Sequence, residues 1–372
     1  MTSILRSYLG GALVAGTGTP RPIHNPTTEE VLAHTCTEGL DVAGGLDFAR
    51  SQGGPALRAM TFAERGELLL AMSKALHEHR EDLVALATAN GGNTRGDAKF
   101  DIDGATGTMA FYGKLGATLG DRRFLLDDDE PIALARNPRF IGQHALVPRH
   151  GVAVHINAFN FPAWGFGEKA AVALLAGMPV LCKPASSTAL VTARMFEILA
   201  ESGVVPPGVV SLIAGAPGPL TSLLGPQDVL AFTGSSDTGS WLRTQAGLLE
   251  RGVRINVEAD SLNSAVLGPD VEPDTAVWDL FVRETSRDMT QKAGQKCTAI
   301  RRVFVPRERL DDAREALIAE VKRTRVGDPA LSEVRMGPVA TRQQHDDVRA
   351  GIGKLNEHAR FVYGDGGRGE LV

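Results

Sequence analysis

Gly151-Val152-Ala153-Val154-His155-Ile156-Asn157-Ala158-Phe159-Asn160-Phe161-Pro162 sets a short β-branched run against a polar turn that ends in proline. The texture recurs downstream, with further runs from Pro179 to Lys183, Val209 to Ile213, Val229 to Phe232 and Arg254 to Val257, each separated by a stretch of helical length. Strand alternating with helix implies right-handed crossovers and a mainly parallel sheet covered on both faces by helices. In such a sheet ligands bind beyond the carboxyl ends of the strands. The polar motifs taken up below all lie at a strand end or close after one.

Outward from this block, residues 1–60 are rich in Gly, Pro and Thr and read as packing rather than chemistry. Phe62, Leu69, Met72, Leu76, Leu83 and Leu86 then recur at helical spacing and predict one or two amphipathic helices. On the other side, a second pair of runs, Ser264 to Leu267 and Val303 to Val305, is joined by an amphipathic stretch from Asp274 to about Lys292. A new unit is expected from near Leu262, giving a sheet domain over 1–261 and a second α/β domain over 262–372. A chain of 372 residues with 43% hydrophobic and 22% charged positions has the size for two such cores.

The formal charge of −5 comes from interspersed signs, which argues against a polyanion-binding surface and hence against nucleic acid as a partner. No apolar run approaches the roughly 20 residues that span a bilayer, and the N-terminus lacks the pattern of a secretory signal, so a cytoplasmic protein without a membrane partner is expected. Three widely spaced cysteines, Cys36, Cys182 and Cys297, fit neither a disulfide framework nor a metal site. Gly364-x-Gly366-x-x-Gly369 matches the dinucleotide fingerprint in letters only, because that motif works between a strand and a helix and three residues remain after it.

Chemistry concentrates in three segments. Gly294-Gln295-Lys296-Cys297-Thr298 places a thiol among small and polar residues with Lys292 and Lys296 nearby, where positive charge would favour the nucleophilic thiolate. An isolated cysteine is more often a small buried hydrophobe. Asn160, just ahead of a helix start near Trp164, has an amide that could face a cleft, or it is a turn residue or cap. Glu258, in Asn256-Val257-Glu258-Ala259-Asp260 and 39 residues before Cys297, has a carboxylate that could activate water, or it is a solvated strand end.

Together with Lys183-Pro184-Ala185-Ser186 and Phe232-Thr233-Gly234-Ser235, these segments resemble the aldehyde dehydrogenase superfamily in order, spacing and content. The resemblance runs from about residue 20 to the end, and its most specific part is Gly294-Gln295-Lys296-Cys297 with Asn160-Phe161-Pro162 upstream. It implies a Rossmann-type cofactor domain and a catalytic domain. It also implies a Cys297 thiohemiacetal whose oxyanion is held by the Asn160 amide and the Cys297 backbone N–H, and a thioester hydrolysed with Glu258 as general base. Relatives that pass the acyl group to coenzyme A lack this carboxylate, so the free acid is the implied product, with acyl transfer the lesser alternative.

The family binds a nicotinamide dinucleotide without the glycine fingerprint. By that resemblance Lys183 contacts the adenosine ribose and Gly234 and Ser235 approach the pyrophosphate, with Ile156, Ala158, Ser186 and Gly239 alongside. Many NAD-preferring members carry a glutamate where this chain has Ser186, which implies NADP, with NAD as a second possibility.

The wording of Val152 to Pro162, Glu258-Ala259-Asp260-Ser261-Leu262-Asn263 and Lys292 to Arg302 resembles one branch, the semialdehyde dehydrogenases acting on ring-opened coenzyme A thioesters in aromatic degradation. Segment Pro138 to His144 is more similar to the member oxidising 3,4-dehydroadipyl-CoA semialdehyde in benzoyl-CoA degradation than to the phenylacetate member acting on 3-oxo-5,6-dehydrosuberyl-CoA semialdehyde. Family members continue beyond the position matching Val372 with a Glu-x-Phe-Gly-Pro segment and a strand of the oligomerisation sheet, so the second domain is expected to be incomplete. Part of an oligomerisation segment is expected near 136–150, and a homodimer if those elements are complete. Two rivals stand beside the enzyme: a non-catalytic remnant that keeps the motifs, and a thiol esterase using Cys297 and Glu258 without redox chemistry.

Overall fold

The computed structural model describes residues 3–127, 130–137 and 139–364. From the N-terminus, β1 (Ser7–Leu9) and β2 (Ala12–Val14) form a hairpin. After a second hairpin and some short helical segments come the long helices α1 (Phe62–Glu78), α2 (Arg80–Gly91) and α3 (Arg95–Leu119). The alternating block then runs β3 (Ala153–Ile156), α4 (Trp164–Leu175), β4 (Val180–Lys183), α5 (Ala189–Ser202), β5 (Val210–Leu212), β6 (Val229–Gly234), α6 (Ser236–Arg243) and β7 (Arg254–Ala259). Beyond it, β8 (Asn263–Val266) and β9 (Ile300–Phe304) pair in parallel as a separate two-stranded sheet. Helix α7 (Ala276–Thr290) lies between them in sequence, and α8 (Leu310–Val321) and α9 (Arg342–Asn356) follow.

The main sheet has the order β7-β6-β3-β4-β5-β1-β2, and its first five strands are parallel. The period-2 alternation of each strand sorts its side chains onto two cores. Val154, Leu181, Ile213 and Leu230 face one cluster; Ala153, Val180, Cys182 and Leu212 face the other. The opening residues, expected as packing alone, supply the two antiparallel edge strands, with Tyr8 opposite Leu212 and the Ala214 N–H donating to Ser7 Oγ at 3.0 Å.

The apolar pattern from Phe62 to Leu86 is carried by two helices, α1 and α2, within the expected one or two, and α3 is a further helix the pattern did not announce. Helix α1 opens with a capping box, Thr61 Oγ1 accepting from the Glu64 N–H while Glu64 accepts from the Thr61 N–H. Helix α3 was hidden by its glycines, which lower helix propensity. Its packing explains them: a Cβ on Gly116 would lie 2.5 Å from the Phe62 carbonyl oxygen, and one on Gly113 2.7 Å from Leu70 Cγ. The backbones of α1 and α3 touch, and only glycine allows it. Buried Arg65 of α1 ties this pair to α4 by donating to the carbonyls of Leu175 and Arg123 at 2.7 and 2.9 Å.

Strand order reverses in the middle of the sheet. The chain lays β4 and β5 to one side of β3, then returns to place β6 and β7 on the other, so a topological switch lies between β3 and β6, where Ile156 pairs with Phe232. No described helix is long and apolar enough to cross a membrane. Gly366 and Gly369 of the C-terminal glycine motif, and Pro138, lie outside the described residues.

Candidate active site

The carboxyl ends of four strands meet at the switch point. Register pairs Lys183 with Ile156, Ile156 with Phe232, and Thr233 with Glu258, so the ends of β4, β3, β6 and β7 stand side by side. The loop after β3 carries Ala158 and Asn160, both half-buried. It is held to the loop after β4 by the Asn157 N–H donating to the Lys183 carbonyl at 3.0 Å and Thr188 Oγ1 donating to the Phe159 carbonyl at 2.8 Å. Ser186 opens a short turn on that second loop and is half-buried.

Cys297 is exposed on the loop between α7 and β9, whereas Cys36 and Cys182 are buried. Burial pushes the Cys182 thiol up to about 12, out of the range of a working nucleophile. Two neighbouring loops grip the Cys297 loop. Asn160 Nδ2 donates to the Gln295 carbonyl at 2.9 Å. From the other side Asn263 Nδ2 donates to the Cys297 carbonyl at 2.5 Å, and the Ser261 hydroxyl donates to the same oxygen. Arg301 closes the loop on itself, its guanidinium donating to the carbonyls of Gly294, Lys296 and Ala299.

Glu258 is exposed at the end of β7, with Thr233 Oγ1 donating to its Oε2 at 3.5 Å. Two residues on, Asp260 adopts a left-handed φ of 49°, donates its N–H to the Gly234 carbonyl at 3.3 Å and accepts the Ser236 N–H at 3.2 Å. This turn leads β7 directly to Ser261 and Asn263. Thus the segment bearing the carboxylate also supplies the clasp on the cysteine.

The two lysines ahead of the thiol, expected as nearby positive charge, each have surroundings of their own. Lys296 is buried and its ammonium donates to Asp288 at 2.5 Å and Gln291 at 3.0 Å. Lys292 is also buried, with its ammonium over the Phe161 ring. Charge that is paired or sequestered in this way has a structural task.

Gly234 and Ser235 form the entry to α6, where the Ser235 hydroxyl accepts the Thr238 N–H at 3.4 Å. Gly239 is buried on the next turn, and a Cβ there would lie 2.6 Å from Val257 Cγ1, so glycine lets α6 lie close on β7 and aim its N-terminus at the switch point. Lys183 is half-buried at the end of β4; burial pushes its ammonium below the usual range, and the adjacent Cys182 opposes that. A cationic side chain and a helix N-terminus thus stand at the same carboxyl edge of the sheet, groups of the kind suited to phosphates and ribose hydroxyls.

The sequence model of the Aldehyde dehydrogenase family matches residues 14–371. The chain belongs to that family. It is 43% identical over 360 residues to 3,4-dehydroadipyl-CoA semialdehyde dehydrogenase of Aromatoleum evansii, the alignment covering 97% of this chain and 70% of the relative. It is 28% identical to a chloroplastic aminoaldehyde dehydrogenase of Arabidopsis thaliana, over 94% of this chain and 68% of that one. Among solved structures, an NAD+ complex of an aldehyde dehydrogenase from Bacillus cereus superposes with a TM-score of 0.82 at 22% identity, covering 95% of this chain and 70% of that chain. The aldehyde dehydrogenase fold is therefore shown, in a chain about 70% as long as these relatives.

Sequence reading singled out Cys297, Asn160 and Glu258 but assigned no task to Gln295, Ser261, Asn263 or Thr233. All four lie inside the motif segments, and their signal is a polar side chain or carbonyl beside a candidate catalytic group. Asp101, buried on α3 and accepting the Trp164 N–H at 2.8 Å, carried no local signal.

Proposed function

We propose that this aldehyde dehydrogenase oxidises an aldehyde to a carboxylic acid with a nicotinamide cofactor, Cys297 acting as nucleophile, Asn160 as oxyanion donor and Glu258 as general base. The supporting observation is the cross-bonding of three loops at one sheet edge: Asn160 on the Gln295 carbonyl, Ser261 and Asn263 on the Cys297 carbonyl, and Glu258 three residues ahead of Ser261.

Cys297 thiolate adds to the aldehyde carbon and forms a thiohemiacetal. The Asn160 amide has two N–H groups; one is engaged by Gln295, and the other serves the oxyanion together with the Cys297 backbone N–H. When bound, the nicotinamide supplies the two-electron acceptor that allows the thiohemiacetal to become a thioester. Glu258 then takes a proton from the water that attacks the thioester, releasing the acid and restoring the thiol. Its exposed position at the strand end leaves room for that water.

Lys183 and Ser186 would hold the adenosine ribose, and Gly234, Ser235 and Gly239 would bring the α6 N-terminus to the pyrophosphate, with Ile156 and Ala158 lining the crevice. NADP is the preferred form in this reading, because a carboxylate at position 186 would repel a 2′-phosphate and the Ser186 hydroxyl does not. The substrate is a coenzyme A-linked semialdehyde such as 3,4-dehydroadipyl-CoA semialdehyde, supported by 43% identity over 97% of the chain to an enzyme of that name. The test is formation of NADPH or NADH by the purified chain with that semialdehyde, beside Cys297→Ala. Turnover lost in the variant supports the reading; no turnover by folded wild-type protein with either cofactor overturns it.

A further inference from the structure

Lys292 begins the turn that delivers Cys297, and it does so in a conformation that L-residues avoid. Its φ is 54°, followed by 55° at Ala293 and 70° at Gly294. Three successive left-handed residues need something to hold them. Among Lys292, Ala293 and Gly294 only Lys292 is buried: the residue is 3% exposed, and its Nζ has no hydrogen-bond partner among the described residues.

What the ammonium does have is an aromatic face. Nζ stands 4.5 Å from the centroid of the Phe161 ring, within the range of a cation–π contact and strengthened by the absence of water. Phe161 directly follows Asn160, and its own ring is wedged edge-on against Phe100 and Trp164, with centroids 5.9 Å away in each case. Trp164 is fixed in turn, its backbone N–H donating to Asp101 Oδ1 at 2.8 Å and its indole N–H to Thr108 Oγ1 at 3.0 Å. Asp101 is fully buried on α3 one residue beyond Phe100. Burial pushes the Lys292 ammonium below its ordinary range, while Asp101 and then Asp97 draw it back up. A charge without hydrogen bonds is a costly way to fill a core, and methionine would occupy the same volume. A charge placed there calls for a geometric purpose.

We propose that Lys292 is a positioning residue for the aldehyde chemistry: its ammonium, seated on the Phe161 ring, pins the nucleophile turn to the Asn160 loop and sets the separation between the Cys297 sulfur and the Asn160 amide. This inference rests on the dehydrogenase reading above. The Asn160–Gln295 hydrogen bond links the same two loops at one point, and the Lys292–Phe161 contact supplies the second, without which the loops could rotate about the first.

The test uses the purified full chain with 3,4-dehydroadipyl-CoA semialdehyde and saturating cofactor. Lys292→Met is expected to lower kcat by about tenfold to a hundredfold, the scale of a small misplacement of reacting groups. The KM for aldehyde should move less than about threefold, and NADPH binding followed by fluorescence should be unchanged, because ground-state binding is not what the pin controls. Lys292→Arg should restore part of kcat, since a guanidinium also binds an aromatic face. Phe161→Leu should reproduce the loss, and the double variant Lys292→Met/Phe161→Leu should be no slower than the slower single variant.

A kcat for Lys292→Met within twofold of wild type, or losses that multiply in the double variant, overturns the pin while leaving the dehydrogenase reading intact. If Lys292→Met does not fold, Phe161→Leu decides: an unchanged kcat overturns the proposal, and a reduced kcat at constant KM supports it. A wild-type chain that never turns over overturns both readings.

Discussion

Replacing Asn160 by alanine removes an amide with two engagements, and they have different signatures. One N–H donates to the Gln295 carbonyl at 2.9 Å in the resting protein. The other is free to meet the oxyanion, which exists only after Cys297 has attacked. Loss of an oxyanion donor costs about 2.7 to 4 kcal/mol of barrier, or roughly a hundredfold to a thousandfold in kcat. Loss of the neutral bond to Gln295 costs about 1 kcal/mol of stability. Steady-state NADPH formation at saturating cofactor reads the first, and a denaturant midpoint reads the second. The KM for aldehyde should change little, because the donor acts on a charge absent from the ground state. A variant that folds and retains more than a tenth of wild-type kcat, or one whose whole loss appears in KM, would refute the oxyanion role.

Further tests follow from the packing and from the crevice. Gly116→Ala places a methyl against the Phe62 carbonyl, at 2.5 Å before relaxation. It should destabilise the chain by about 1 to 3 kcal/mol, and an unchanged urea midpoint would show that α1 and α3 are not in backbone contact. His155 is 3% exposed and its Nδ1 has no hydrogen-bond partner among the described residues. Burial, with Lys169 adding to it, pushes its pKa down to about 3. The unfolded chain takes up this proton near pH 6.5, so the stabilisation is complete above that pH and is lost as pH falls toward about 3. His155→Leu should flatten the fall in urea midpoint over that window, and an equally steep fall would reject the burial argument. Ser186→Glu should raise the KM for NADP about tenfold or more relative to NAD by charge repulsion; an unchanged ratio would place the 2′-phosphate elsewhere.

The parallel block was legible because its inner strands β3, β4 and β5 are buried on both faces and read as apolar runs, while edge strand β7 alternates exposed and half-buried positions. All five runs were placed within two residues of the observed strands, the first as Val152 to Ile156 against Ala153–Ile156 and the fourth as Val229 to Phe232 against Val229–Gly234. What escaped depends on tertiary contact. Helix α3 contains Gly104, Gly113 and Gly116, which argue against a helix locally and make sense only against Trp164 and against α1. The short β1 joins the sheet through β5, some two hundred residues away in sequence, as Tyr8 opposite Leu212 shows, and β2 follows it as its hairpin partner. At the site, motif spacing brought out Cys297, Asn160 and Glu258, but the role of neighbouring polar residues was invisible because it runs through backbone carbonyls. Ser261 and Asn263 act on the Cys297 carbonyl, and Arg301 on three carbonyls of one loop. The charge on Lys292 and Lys296 was visible in sequence, whereas its direction, toward Phe161 and Asp288, needed the fold.

The most direct measurement is intact-protein mass spectrometry on Glu258→Gln mixed with 3,4-dehydroadipyl-CoA semialdehyde and NADP, with peptide mapping of the adduct. With acylation intact and hydrolysis slowed by about a hundredfold or more, one NADPH should form per chain in a burst, and an acyl group should accumulate on Cys297. Steady turnover at the wild-type rate without an adduct, or an acyl group mapped to another residue, would contradict the roles given to Glu258 and Cys297.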